Sequence, residues 1–421
     1  MTAPRSVPLL GDPIDAEVRL PGSKSETIRA LAIASLAEGR SHLYKPLDAE
    51  DPRAMSDALR ALGADIDDRD DPWSVDGRGG RLEGADAPLD AHESGLTARI
   101  LCAITASIDG VSRIEGRGRL PQRPMKGIVD VIRAQGVEVS GERLPLEVSG
   151  RGPLWGGRLM VDCSESSQFA TALMLVAPIM HEPAEIELIG LSGSGGYLDM
   201  TESMMRRFGA GVERTVTGYR IANTGFVASD VVIEPDASAA VYPMAIAAIN
   251  GGLVVVEGLG RSSRQPDLKI ASILATMGCR VEWGDTRVSV DARETRLDAV
   301  DVDMSDAPDG ALALSVVCLF ATGGSRISGL GSLRHKESDR LAAISAEIRR
   351  IGGEARVDGD ALLVGPGDLR GVDIDPHGDH RIAMTMAVAG TRIGAMRIAN
   401  PAVVDKTWPG FWSFLDSLVT G

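Results

Sequence analysis

Basic side chains recur beside segments that read as helix starts. Lys24 and Arg29 flank Ser25, Arg99 lies five residues after Ser94, and Arg381 follows Asp379-His380. Lys336-Glu337-Ser338-Asp339-Arg340 opens a further helical pattern, Lys406 sits in Asp405-Lys406-Thr407-Trp408-Pro409, and Arg123 lies in a Gly- and Pro-rich loop from Gly116 to Pro124. A helix N-terminus carries free N–H groups and the positive end of the dipole, so it binds anions. Ser and Asp there also act as caps, and a lone Ser-Ser or Asp needs no other explanation. Capping does not explain the cations, which the dipole repels. They imply a ligand with at least two anionic groups, or a compensating carboxylate such as Glu337.

The global charge sharpens this. Lys+Arg 44 against Asp+Glu 59 leaves −15, so a binder of anions must gather positive charge locally against its own field. A duplex nucleic-acid partner is disfavoured for the same reason. Asp375-Pro-His377-Gly-Asp379-His380 has metal-ligand residue types, but Arg381 opposes a bound cation, and no metal is expected. Leu191-Ser192-Gly193-Ser194-Gly195-Gly196 lacks the Lys-Ser/Thr of a P-loop and the spacing of a dinucleotide fingerprint. Cys102, Cys163, Cys279 and Cys318 are far apart in apolar contexts, which reads as buried reduced thiols and a cytoplasmic setting. The longest apolar runs are about a dozen residues, short of a membrane span, and the first residues have no signal-peptide pattern.

The elements that must position these residues repeat. A helical pattern ends in Gly at 63, 136, 209, 278, 352 and, degenerately, 421, spacings of 73, 73, 69, 74 and 69. Each Gly suits a left-handed helix end, and the first five precede an alternating, strand-like run. A second set of Ala-rich helices starts near residues 25, 94, 167, 238, 310 and 380. These are apolar on most faces and should be buried. At 421 residues the chain exceeds a single core, so the repeats should divide between two domains, three to each.

The motifs themselves resemble the 3-phosphoshikimate 1-carboxyvinyltransferase (5-enolpyruvylshikimate-3-phosphate synthase) family of enolpyruvyl transferases. The likeness runs from Leu20-Pro21-Gly22-Ser23-Lys24-Ser25 to Lys406-Thr407-Trp408-Pro409, nearly the whole chain. It implies an α/β fold of two similar domains, each of three βαβαββ units in an inside-out α/β barrel, with the active site in the interdomain cleft. The domains would be 1–20 with 236–421 and the inserted 21–235, hinged near 20–21 and 234–236. The implied reaction moves the enolpyruvyl group of phosphoenolpyruvate to the 5-hydroxyl of shikimate 3-phosphate, with no cofactor, in a cytoplasmic monomer whose partners are these small molecules. Binding of both substrates should close the domains.

Carried over by motif, Lys24, Asp309 and Glu337 are the proton-transfer groups. Lys24, Ser25, Arg29, Ser166, Ser167, Gln168, Ser194, Tyr197, Asp309 and Lys336 should hold shikimate 3-phosphate. Lys24, Gly95, Arg123, Gln168, Arg340, Arg381 and Lys406 should hold phosphoenolpyruvate, with Arg99 and His380 nearby. Sequence does not decide which group is acid and which base. Glu93, Leu96, Ile28 and Ser332 depart from the family pattern (Asn, Thr, Asn and Asn are usual), and glyphosate sensitivity is left open although Gly95 is kept. The UDP-N-acetylglucosamine 1-carboxyvinyltransferases share the architecture but carry a reactive Cys in the loop matching Gly116–Pro124, where this chain has none. A non-catalytic relative would lose Lys24, Glu337 or Asp309, and a relative acting on RNA ends is opposed by the negative charge.

Overall fold

A computed structural model describes residues 3–190 and 195–420. The chain divides into two compact units, one of Gly22–Ile233 and one of Met1–Pro21 with Glu234–Gly421, each enclosing its own apolar core. In the first lie α1 (Lys24–Leu36), α2 (Glu50–Ala61), α3 (Gly95–Ala106), α4 (Lys126–Ala134), α5 (Gln168–Val176) and α6 (Gly195–Arg207). In the second lie α7 (Ala237–Asn250), α8 (Lys269–Thr276), α9 (Ala311–Cys318), α10 (Arg340–Arg350), α11 (His380–Ile393) and α12 (Phe411–Thr420).

The odd-numbered helices are the Ala-rich set. They are buried almost all round, and α1, α3 and α5 pack on one another, as do α7, α9 and α11. Small side chains let the backbones approach, and a helix apolar on every face has no other stable place. The even-numbered helices up to α10 end in the expected glycines, all left-handed: Gly63, Gly136, Gly209, Gly278 and Gly352 have φ of 94°, 85°, 80°, 105° and 93°. Gly421 is outside the described residues.

Each repeat adds a small sheet outside the helices. In the second repeat Leu89–Asp90 runs parallel to Asp109–Glu115, which pairs antiparallel with Leu146–Arg151, itself antiparallel to Glu138–Val139. Burial alternates along these strands, as in Leu146 and Val148 inward against Glu147 outward, so one face meets the helices. The order is βαβαββ, with helices inside and sheets outside.

The first strand of each unit is borrowed. Val231–Val232 pairs beside Glu38–Tyr44 in the sheet of the first repeat, and Asp15–Val18 pairs beside Leu253–Glu257 in that of the fourth. In the sheet of the last repeat, Arg5–Ser6 pairs antiparallel with Arg397–Ile398, which runs parallel to Asp373–Ile374. Sequence spacing does not reveal these closures, because two- to four-residue strands far from their repeat carry almost no periodic signal.

Candidate active site

In the unit of residues 22–233 the polar groups sit at the starts of α1, α3, α5 and α6. Ser23 caps α1, its Oγ accepting from Glu26 N at 3.4 Å, which places Lys24 and Ser25 in the first turn. Lys24 Nζ donates to Asp51 Oδ2 at 3.0 Å, from the first turn of α2. One turn on, Arg29 is only 1% exposed. It donates to Thr201 Oγ1 (2.8 Å), the Ser25 carbonyl (2.9 Å) and the Tyr197 carbonyl (3.3 Å), all neutral acceptors. Burial pushes its guanidinium down to about 10, against the pull of Tyr197 and Glu26. Arg29 therefore braces the backbone of Ser25 and Tyr197 from beneath, and its fork is not presented to solvent.

Gly95 opens α3 behind its cap, Ser94, which accepts from Thr97 N at 3.3 Å. A Cβ on Gly95 would fall 2.3 Å from Arg99 Nη1 and 2.5 Å from Arg123 Nη2, so two guanidinium groups lie against its Cα. Arg99 donates to Gln168 Oε1 (3.0 Å) and the Pro124 carbonyl (2.7 Å) and lies over the Phe169 ring. It ties α3, α5 and the Gly116–Pro124 loop into one group. Arg123 is 7% exposed, and its side chain has no hydrogen bond or ion pair among the described residues. Glu93 lies against Gly118 of the same loop, where a Cβ would be 2.2 Å from Glu93 Oε1. Leu96 is buried.

Ser166 Oγ accepts from Gln168 N at 3.3 Å, and Ser167 occupies the N-cap of α5 without a side-chain cap bond. Capping thus fails to explain Ser167, whose partly exposed hydroxyl is left for another acceptor or donor. Tyr197 lies in the first turn of α6, and Ser194 is outside the described residues.

The other unit builds a denser network around Asp309, just before the start of α9. Arg340, 1% exposed, donates Nη1 to Asp309 Oδ1 (2.8 Å) and Nε to Asp379 Oδ2 (2.7 Å), and pairs with Glu337 Oε2 at 2.8 Å. Lys336 Nζ and Arg381 Nη2 stand 3.4 and 3.3 Å from the Asp309 carboxylate. Burial alone would raise the Asp309 carboxyl. Arg381, Lys336 and Arg340 outweigh it, Glu337 opposing, and hold Asp309 well below the usual carboxylate range.

Asp379 caps α11 through Arg381 N (2.9 Å) and accepts from Ser338 Oγ (2.9 Å). His380 is 1% exposed with Nδ1 3.8 Å from Asp379 Oδ1. Lys406 is buried at the end of the 3-10 turn Pro401–Lys406, which packs on α11.

The expected helix start at Lys336 needs correction. α10 begins at Arg340 with Asp339 as its cap, and Lys336 and Glu337 precede it after a 3-10 turn, Gly331–His335. The dipole argument therefore applies to Arg340, which the carboxylates of Asp309, Glu337 and Asp379 compensate. No group of three or more His, Cys, Asp or Glu able to hold a metal occurs among the described residues. His377 turns away to Glu347 (3.1 Å). All four cysteines are buried free thiols, and no helix is long and apolar enough to cross a membrane.

Asp51 and Asp379 are partners of the site residues that the sequence motifs do not assign. Asp51 is 27 residues from Lys24, with no local pattern linking them. Asp379 has a signal, the cap position beside His380-Arg381, but its second role on Arg340 is purely tertiary.

Two units of βαβαββ repeats with anion-ready helix starts define the enolpyruvyl transferase architecture. The fold matches EPSP synthase from Acinetobacter baumannii, with a TM-score of 0.82 at 24% identity over 99% of this chain and 98% of that one. It also matches the enolpyruvyl transferase NikO from Streptomyces tendae, with a TM-score of 0.72 at 17% identity over 99% and 97%. The model of the EPSP synthase (3-phosphoshikimate 1-carboxyvinyltransferase) family matches residues 10–415, and the chain belongs to that family. Relatives named 3-phosphoshikimate 1-carboxyvinyltransferase include those of Methanosphaerula palustris, 38% identical over 96% of both chains, and Pseudoalteromonas atlantica, 36% identical over 98% of this chain and 99% of that one.

Proposed function

We propose that this chain transfers the enolpyruvyl group of phosphoenolpyruvate to the 5-hydroxyl of shikimate 3-phosphate and releases phosphate, a step of aromatic amino acid biosynthesis. Family membership supports the reaction. The single structural observation that carries it is Arg123, a buried guanidinium with no anion beside it among the described residues. Burying an uncompensated charge costs several kcal/mol. A carboxylate or phosphate oxygen pair suits its fork and removes that cost.

The reaction is an addition followed by an elimination. The 5-hydroxyl gives up its proton to a basic group and its oxygen bonds to C2 of phosphoenolpyruvate as the methylene carbon takes a proton from an acidic one. A methyl proton then leaves, the double bond re-forms, and phosphate departs. Arg123 beside Gly95, with Gln168, Arg340, Arg381 and Lys406, serves phosphoenolpyruvate. Ser25, Ser166, Ser167, Ser194 and Tyr197 serve shikimate 3-phosphate, and Arg29 supports two of them through their backbone carbonyls.

Asp309 stays ionised throughout the neutral range, so it accepts a hydrogen bond from a substrate hydroxyl and does not act as the acid. The proton for the methylene carbon belongs to Lys24 or Glu337. We take the two units as the domains 21–235 and 1–20 with 236–421. The four free thiols support a cytoplasmic setting.

The test is phosphate release from phosphoenolpyruvate in metal-free buffer, with and without shikimate 3-phosphate. Release that depends on shikimate 3-phosphate, and falls by at least about 100-fold in Lys24→Ala or Glu337→Ala, is the expected result. Release with UDP-N-acetylglucosamine in its place would overturn the acceptor assignment.

A further inference from the structure

Asp267 lies outside every motif that pointed to the site. It belongs to the 3-10 turn Pro266–Leu268 before α8 and is 2% exposed. Its Oδ1 accepts from Gly310 N at 3.1 Å, the peptide immediately after Asp309. Its Oδ2 accepts from the Ser238 hydroxyl, in the first turn of α7. Two residues earlier, Gln265 accepts from Ala237 N at 3.0 Å through Oε1 and donates to the Pro235 carbonyl at 2.7 Å. One short turn thus clamps the starts of α7 and α9 together. The fit is close, since a Cβ on Gly310 would stand 3.3 Å from Asp267 Oδ1.

The placement matters because α9 has no side-chain cap of its own: its N-cap is Gly310. The N-cap's own amide, Gly310 N, is shared between the Ala307 carbonyl at 3.2 Å and the Asp267 carboxylate, forty-three residues away in sequence. Asp309, the residue before that N-cap, has its carboxylate on Arg340, Lys336 and Arg381. Burial, together with Asp309 and Asp236, pushes the Asp267 carboxyl up, while Arg381 and Ser238 pull it down.

We infer that Asp267 is a positioning residue for the transfer reaction: from its own turn it holds the peptide N–H that follows Asp309 and so fixes the backbone that aims the Asp309 carboxylate. This rests on the functional reading above, in which Asp309 meets a substrate hydroxyl. The contacts require an acceptor toward Gly310 and a polar partner for Ser238, and they do not require the charge. An Asn supplies both, its Oδ1 accepting from Gly310 N–H and its Nδ2 donating to Ser238 Oγ.

The experiment compares Asp267→Asn and Asp267→Ala with wild type, in the full chain, by steady-state phosphate release and by thermal melting. Asp267→Asn should keep kcat within about 5-fold, while Asp267→Ala loses kcat by about 100-fold with KM for both substrates changed less than about 3-fold. The decisive arm is the cycle with Asp309→Asn. If Asp267 acts through Asp309, adding Asp267→Ala to Asp309→Asn lowers kcat by less than about 3-fold further. Multiplicative losses, or an Asp267→Asn variant as impaired as Asp267→Ala, would overturn the inference. Should Asp267→Ala fail to fold, Asp267→Ser, whose shorter side chain withdraws the acceptor from Gly310 N, carries the same cycle. Wild-type turnover of shikimate 3-phosphate is the control: its absence would sink the functional reading and this inference with it, whereas wild-type turnover with multiplicative losses would sink this inference alone.

Discussion

The two clusters of basic residues solve opposite electrostatic problems. In the unit of residues 22–233, Lys24 pairs with Asp51, but Arg29 donates to neutral oxygens and Arg123 has no ion pair among the described residues. In the other unit Arg340, Lys336 and Arg381 meet Asp309, Glu337 and Asp379, so charge is balanced within the protein. The difference separates two kinds of work. An unbalanced cation invites a ligand's anion. A balanced network holds a carboxylate in a fixed charge state for proton and hydroxyl chemistry.

Breaking the balanced network should have the largest effect. Arg340→Ala leaves Asp309, Asp379 and Glu337 short of a shared partner, and loss of one member of a buried ion group costs about 3–5 kcal/mol. Activity should vanish and the melting temperature should fall by roughly 10 °C. Arg123→Ala should reverse that pattern. kcat/KM for phosphoenolpyruvate drops by about 100-fold, while the melting temperature of the free protein is unchanged or higher, because a desolvated cation is gone. A fall in melting temperature as large as that of Arg340→Ala would show that Arg123 is structural and would collapse the comparison.

Gly95→Ala is subtler. The new methyl would press on the guanidinium groups of both Arg99 and Arg123, and these must shift. KM for phosphoenolpyruvate should rise by about 10-fold with KM for shikimate 3-phosphate nearly unchanged. Equal changes in both would place the two substrates closer to Gly95 than the geometry implies.

Smaller effects come from pH and from thiols. The Asp309 carboxyl is depressed in the folded chain, so its stabilisation is present above its unfolded value of about 4 and is lost as pH falls below it. The gap in melting temperature between wild type and Asp309→Asn should therefore narrow from about pH 5 toward about pH 3. Burial pushes the thiols up to about 12 for Cys102 and Cys163 and about 11 for Cys279 and Cys318. Thiol reagents should label the native protein very slowly at about pH 8 and fully in denaturant, with activity unaffected in the native case. Rapid labelling of one thiol with loss of activity would put a reactive Cys into the site after all.

Much of the fold is legible in the residues because it is local. A helix end needs a left-handed residue, so Gly63, Gly136, Gly209, Gly278 and Gly352 mark five helix ends by type and spacing alone. A helix start draws Ser, Asp or Gly, so Ser94 and Asp379 are found as caps at the expected starts, and Ser23 and Asp236 cap helices two residues before the starts expected near 25 and 238. The family motifs supply the reaction and the names of the site residues. The same local logic fails at Lys336, which with Glu337 precedes the helix, so that Arg340 alone of the stretch's cations enters its first turn.

What the sequence determined by itself was therefore the repeat, the buried helices and the gathering of charge at their starts, since each depends on neighbours a few residues apart. Only the tertiary structure decided which charges are balanced. Whether Arg123 lacks an anion, whether Arg340 has three, and whether Asp267 holds the Gly310 amide depend on groups that pack together across tens of residues of chain. No periodicity encodes such distances, because burial and Coulomb energy depend on separation in space and not along the chain.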